Sequence, residues 1–262
     1  MKANFFQGKF IVFEGLDGSG QTTQAHLLTK WFMEKRNQFA YYTKEPTDGP
    51  VGALLKLVLS KRLFCAASNG NAAPRRLDET SMALFFAADR ADHLHNEVIP
   101  KLKEGVHVIA DRYYLSSLAY QSVDTADYQW IKEINRNIIR PDLTIFLDVP
   151  PGICVKRMKT QRWHVELYED LDNLERVRKN FLLAIEKSKT EGEQIEIIDG
   201  HQPPKDVHKA VVQAVKNFLR LVIAAEKNQH QKTDQQPTQQ QLALLMETEP
   251  LSEPEIAAIQ LG

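Results

Sequence analysis

Cysteine is scarce in this chain. Its 262 residues include two, Cys65 and Cys154, far apart and in neither a metal-ligand nor a redox spacing. A cysteine-based metal or redox motif is excluded, and buried free thiols are expected. Neither sign of charge is in excess: 33 Lys and Arg face 34 Asp and Glu, for a formal net charge of −1. No global basic field points to nucleic acid. No apolar run approaches the ~18 residues of a membrane span, so no membrane role is expected. The opening Met1-Lys2-Ala3-Asn4-Phe5-Phe6 lacks a secretory signal pattern, and a cytoplasmic location is the expectation. Hydrophobic residues at 43 % and charged residues at 26 % are ordinary for a globular chain. The sharpest lack is local. Gly15–Thr22 reads Gly-Leu-Asp-Gly-Ser-Gly-Gln-Thr, and the phosphate-binding pattern G-x-x-x-x-G-K-[ST] asks for lysine where Gln21 stands.

What surrounds that gap fits a phosphate-binding loop. An apolar strand, Phe10–Phe13, runs into the glycines, and a helical pattern from Gln24 to Phe32 follows. Gly15, Gly18 and Gly20 let the backbone approach phosphate closely. The N–H groups that follow, Ser19 included, point at a helix N-terminus, where the dipole favours an anion. Thr22 offers a hydroxyl to Mg²⁺ and Thr23 a second polar contact. Gln21 donates only neutral hydrogen bonds, roughly half as strong as charge-assisted ones.

Strand signals at 10–13, 39–43, 106–110, 143–147 and 195–198 alternate with helical patterns near 22–36, 51–62, 79–103, 115–138, 151–159, 171–190 and 204–226. This predicts an α/β fold: a five-stranded parallel sheet sandwiched by helices. Ligands in such sheets bind beyond the carboxyl ends of the strands. There lie the glycine loop, Lys44-Glu45-Pro46, Asp111-Arg112-Tyr113 and Asp148. One domain is expected over 1–227, then a Gln-rich tail over 228–262, whose composition predicts disorder. A short docking helix within 242–262 is the other reading of the tail. Residues 65–76 read as a polar loop.

Several segments together resemble the thymidylate kinases. They are Phe13-Glu14-Gly15-Leu16-Asp17-Gly18-Ser19-Gly20 with Thr22-Thr23-Gln24, Lys44-Glu45-Pro46-Thr47, Leu84-Phe85-Phe86-Ala87-Ala88-Asp89-Arg90, Asp111-Arg112-Tyr113, Ser116-Ser117-Leu118-Ala119-Tyr120-Gln121 and Arg140-Pro141-Asp142-Leu143. They span roughly residues 9 to 220 in the family's order. The resemblance implies a P-loop NTPase-type fold with a mobile lid over about 156–169. It puts Phe86 on thymine, Arg90 near the base or the phosphate, and Asp17 on the deoxyribose 3′-hydroxyl. Arg112 falls on the monophosphate, with Asp111 ordering it or a Mg²⁺-bound water. Ser117 and Tyr120 fall on the thymine edge and sugar, with Gln121 beside them. Lys44 replaces the usual arginine, Glu45 orients it, and Pro46 follows a cis bond. Family members without a basic residue in the P-loop carry a catalytic arginine in the lid. Arg157 matches that position, and Arg162 is the second candidate.

The implied reaction is transfer of the ATP γ-phosphoryl to dTMP, with Mg²⁺, giving dTDP and ADP. Positioning and charge stabilisation dominate such a step, so Gln21 leaves a second reading open: a nucleotide-binding pseudokinase or regulatory module. A kinase for another monophosphate is a third. The resemblance also implies a homodimer, for which the apolar helix around Met82–Leu94 is one candidate face.

Overall fold

The computed structural model describes residues 1–63, 77–125, 127–161 and 170–233, with the backbone alone at 124, 161 and 225–233. Cys65, the 65–76 loop, Arg162 and the 242–262 segment lie outside the described residues. The chain divides into two compact units, Met1–Val215 and Lys216–Gly262. All five strands and the whole site belong to the first.

Strands β1 (Phe10–Gly15), β2 (Ala40–Lys44), β3 (His107–Asp111), β4 (Leu143–Asp148) and β5 (Ile195–Asp199) form one parallel sheet in the order β2-β3-β1-β4-β5. The three central strands are almost wholly buried, while edge strand β5 buries only Ile195 and Ile198 of its five residues. Continuous apolar runs in the centre follow from helices covering both faces. The arrangement is that of the P-loop NTPases, as expected.

Nine α-helices are described: α1 (Gln21–Lys35), α2 (Pro50–Leu59), α3 (Glu79–His93), α4 (Ile99–Lys103), α5 (Tyr114–Thr125), α6 (Tyr128–Ile134), α7 (Pro151–Gln161), α8 (Leu171–Thr190) and α9 (Pro204–Thr233). Phe10, Val12 and Phe146 point to one face of the sheet, into a core with Tyr113, Tyr114, Leu118, Val177 and Phe181. Helix α1 packs on β1, β2 and β3.

Three helical expectations are corrected. The stretch 79–103 is interrupted by a π-helical turn at Leu94–Val98. The stretch 115–138 is two helices, because Asp127 starts α6 with its carboxylate accepting from Trp130 N at 2.9 Å. Helix α9 runs to Thr233, past the expected end at 226 and into the segment read as tail. Among the described residues no helix is long and apolar enough to cross a membrane.

Candidate active site

The β1–α1 connection builds the phosphate receptor from backbone. Gly18 has φ 81° and Gly20 φ 99°, both in the region that L side chains rarely adopt. A Cβ on Gly18 would also lie 2.8 Å from the Cys154 carbonyl oxygen, so glycine there lets α7 close on the loop. No side chain caps the first turn of α1, unlike α3 and α8, which Asp78 and Asp170 cap. The first-turn N–H groups of α1 are therefore left for an anion.

Gln21 does not reproduce the lysine it replaces. It is 5 % exposed, and its Nε2 donates to the Gly15 carbonyl at 2.8 Å, closing the loop on itself. The neighbouring Thr22 hydroxyl donates to Asp111 Oδ2 at 2.5 Å. Burial raises the Asp111 carboxyl above its ordinary range. These hard oxygens, Thr22 on α1 and Asp111 at the end of β3, suit a Mg²⁺ ion that keeps waters and shares substrate phosphates. Among the described residues no group of three or more His, Cys, Asp or Glu forms a metal cage.

Arg112 stands beside this loop at φ 74°, a strained conformation for a non-glycine residue and of the kind that clusters at functional sites. Its N–H donates to the Phe13 carbonyl at 2.9 Å. Its guanidinium donates to Asp17 Oδ1 at 2.7 Å, Ser116 Oγ at 3.0 Å and the Gly15 carbonyl at 3.3 Å. Burial works against its charge, but Asp17 and other nearby acids hold the proton more firmly than usual. Tyr120 completes the group: its hydroxyl donates to Asp17 Oδ2 at 3.1 Å and accepts from Asp17 N at 3.2 Å. Sequence reading placed Asp17, Arg112 and Tyr120 on three ligand parts, and the fold brings all three into contact.

Two connected hollows meet at Asp17 and Arg112. The larger is a cleft of about 780 Å³, within the usual range for ligand sites. Gly18, Ser19, Gly20, Gln21, Thr22, Thr23, Lys44, Asp111 and Arg157 line it. The smaller pocket is lined by Glu45, Pro46, Phe86, Arg90, Ser117, Tyr120 and Gln121. Gln121 is 3 % exposed, and among the described residues its Oε1 has no hydrogen-bond partner.

Arg90 lines this pocket, yet its donors are taken. They reach Glu45 at 2.9 and 2.7 Å, Ser117 Oγ at 3.1 Å, Asn135 Oδ1 at 2.5 Å and the Tyr113 carbonyl at 3.1 Å. The side chain is 1 % exposed, so Arg90 shapes the wall as a neutralised cross-link. Glu45 is correspondingly bound to Arg90 and to His93 Nδ1 at 3.0 Å rather than to Lys44. The Lys44 ammonium is half exposed, 4.0 Å from Asp48. The Glu45–Pro46 peptide is cis, as the resemblance implied.

Arg157 lies on α7, and its guanidinium donates to backbone carbonyls. The acceptors are Gly18 and Ser19 at 3.4 Å, Gly200 at 3.2 Å and His201 at 3.5 Å. In this state it braces the glycine loop against the β5–α9 turn.

Sequence reading missed Glu14, Asp89, Asn135, Lys56 and Arg62. Glu14 is wholly buried and accepts from Tyr113 N at 3.1 Å and from Ser116 N at 3.2 Å and Ser116 Oγ at 2.5 Å. Asp89 accepts from Thr47 N at 2.9 Å and Thr47 Oγ1 at 2.5 Å, fixing the turn after Pro46. Lys56 and Arg62 line the cleft from α2 and the turn after it. A charged residue inside an apolar strand or helix face, as Glu14 and Asp89 are, was the signal available.

The family model described as thymidylate kinase matches residues 13–211. A protein of Thermococcus gammatolerans named "Probable thymidylate kinase" is 39 % identical over 212 residues, covering 81 % of this chain and 98 % of its own length. One of Pyrococcus horikoshii with the same name is 37 % identical over 213 residues, with coverage of 81 % and 98 %. A third, of Staphylothermus marinus, is 42 % identical over 181 residues, covering 69 % of this chain and 83 % of its own.

Proposed function

The chain belongs to the thymidylate kinase family, and from that premise we propose that it transfers the γ-phosphoryl of ATP to the 5′-phosphate of dTMP. The observation that carries this reading is the Asp17–Arg112–Tyr120 group, set where the phosphate-loop cleft opens into the apolar-walled pocket. Arg112 and the Tyr120 hydroxyl hold the Asp17 carboxylate at the junction of the two hollows, where a deoxyribose 3′-hydroxyl would add a further donor to it. Arg112 holds the acceptor phosphate by paired, charge-assisted bonds, and Lys44 adds a second cation. Phe86 stacks on the base. Gln121 Oε1, without a partner among the described residues, accepts the N3–H of thymine, and Ser117 and Tyr120 border the base and sugar.

Donor phosphates sit on the α1 amides with Thr22 and Thr23. Mg²⁺ would be held by Thr22 and, through water, by Asp111; it supplies charge neutralisation at the phosphates when bound. The acceptor is already an anion, so the protein's work is positioning and charge. Arg157 leaves its carbonyl partners for the phosphates as the segment around 156–169 closes, with Arg162 in support. The protein acts in the cytoplasm as a homodimer.

The test is ADP release with dTMP, ATP and Mg²⁺ on the wild type and Gln21→Lys. Wild-type turnover is expected, and Gln21→Lys should raise kcat, by up to about 10²–10³ where no other cation covers the missing charge. Binding of dTMP without turnover under any donor or metal would sink the kinase reading in favour of nucleotide binding alone.

A further inference from the structure

We infer that Glu14 is a positioning residue for the acceptor site, fixing the Arg112 guanidinium through the Ser116 hydroxyl. The identity of the acceptor rests on the thymidylate kinase reading; the link itself does not. Glu14 is the penultimate residue of β1 and reaches across to the start of α5. One carboxylate oxygen accepts from Tyr113 N at 3.1 Å and Ser116 N at 3.2 Å, satisfying N–H groups at the first turn of α5. The other oxygen accepts the Ser116 hydroxyl at 2.5 Å, and the same hydroxyl oxygen accepts from Arg112 Nη1 at 3.0 Å.

A glutamine would satisfy both N–H groups without placing a charge in a wholly buried position, which is costly. What the carboxylate adds is direction. With its proton on Glu14, the Ser116 hydroxyl turns a lone pair toward Arg112. A glutamine Nε2 in that place would donate to Ser116 and turn the hydroxyl proton toward guanidinium N–H groups. The charged groups acting on Glu14 are Arg112 from the β3–α5 junction and Arg90 from α3. Because Glu14 is followed directly by Gly15, the same side chain ties the root of the donor loop to the helix that carries Ser117, Tyr120 and Gln121.

The experiment compares Glu14→Gln, Ser116→Ala and the double variant at pH 8, above the Glu14 titration, where the carboxylate is the acceptor-only form. Binding of dTMP and of thymidine is measured by calorimetry, and the Arg112 side-chain N–H signal by NMR without ligand. Each single variant should weaken dTMP binding about tenfold, the size of one hydrogen bond to a charged group. The double should be no weaker than either single, since both break one chain of contacts. Thymidine binding should fall far less than dTMP binding, because Arg112 meets the phosphate directly and the sugar only through Asp17. The Arg112 signal should be sharp in the wild type and broadened in both variants. Additive losses, or equal losses for thymidine and dTMP, would mark simple destabilisation of α5 and overturn the inference. If Glu14→Gln fails to fold, Ser116→Ala decides by the same comparison of ligands. A wild type that bound no dTMP would overturn the kinase reading only; the Arg112 signal would still decide this one, a signal equally sharp in every variant refuting it.

Discussion

Glu14 lies wholly buried at the end of β1, and burial, opposed by Ser116 and Arg112, pushes its carboxyl up from 4.5 to about 7. Its effect on stability has a definite sign. Below pH 4.5 the folded and unfolded states both carry the proton. As pH rises from 4.5 to 7 the unfolded chain gives it up first, so stability is lost across that window and the loss is complete above it. The full contribution is roughly 3 kcal/mol. Denaturant unfolding at pH 5 to 8 on wild type and Glu14→Gln checks this: the wild type should lose stability relative to the variant as pH rises. A difference that stays flat would show that Glu14 is charged throughout. That Asp17, Arg112 and Phe86 belong to one site was an expectation from motif order, and the fold places all three on one pocket. The partners of Arg90 and Arg157 were not, since Asn135 and Gly200 lie far from them in sequence and only the fold supplies the contact.

At the scale of elements, the glycine loop and α7 depend on each other. Gly18 and Gly20 both sit at positive φ, but only Gly18 faces atoms of α7, Cys154 O at 2.8 Å and Met158 Cγ at 3.1 Å from a built Cβ. Gly20→Ala meets open space and should cost about 1 kcal/mol of conformational strain. Gly18→Ala carries that strain and must also push α7 from the loop, so its cost should exceed about 2 kcal/mol. Thermal unfolding and the KM for ATP check this pair; equal effects would show that α7 yields freely. Strand and helix positions were readable because apolar runs and helical periodicity report burial directly. The break between α5 and α6 escaped because the apolar spacing continues across it, while a local hydrogen bond from Trp130 N to Asp127 starts a new helix.

For the molecule as a whole, the strand order β2-β3-β1-β4-β5 sets the function. It puts β1 between β3 and β4, so the glycine loop lies beside Asp111 and Arg112, whose register partner on β1 is Phe13 for Asp111. The family match ends at residue 211, and the Gln-rich composition of 228–262 offers little to bury. A chain ending at residue 233, where α9 stops, should therefore release ADP within about twofold of the full-length rate, since the removed segment lies beyond the family match. A larger loss would assign the C-terminal segment a part in activity. The sequence by itself determined the sheet, the glycine loop and the order of the motifs, because these are written in periodicity and in short contiguous runs. The tertiary structure alone decided how charge is used. It folded Gln21 onto Gly15, consumed Arg90 within the wall, left Gln121 Oε1 without a partner among the described residues and joined Glu14 to Arg112 through Ser116. The Arg90–Glu45 and Glu14–Ser116 bonds join residues 45 and 102 apart in sequence, and no local pattern encodes the distances between such segments.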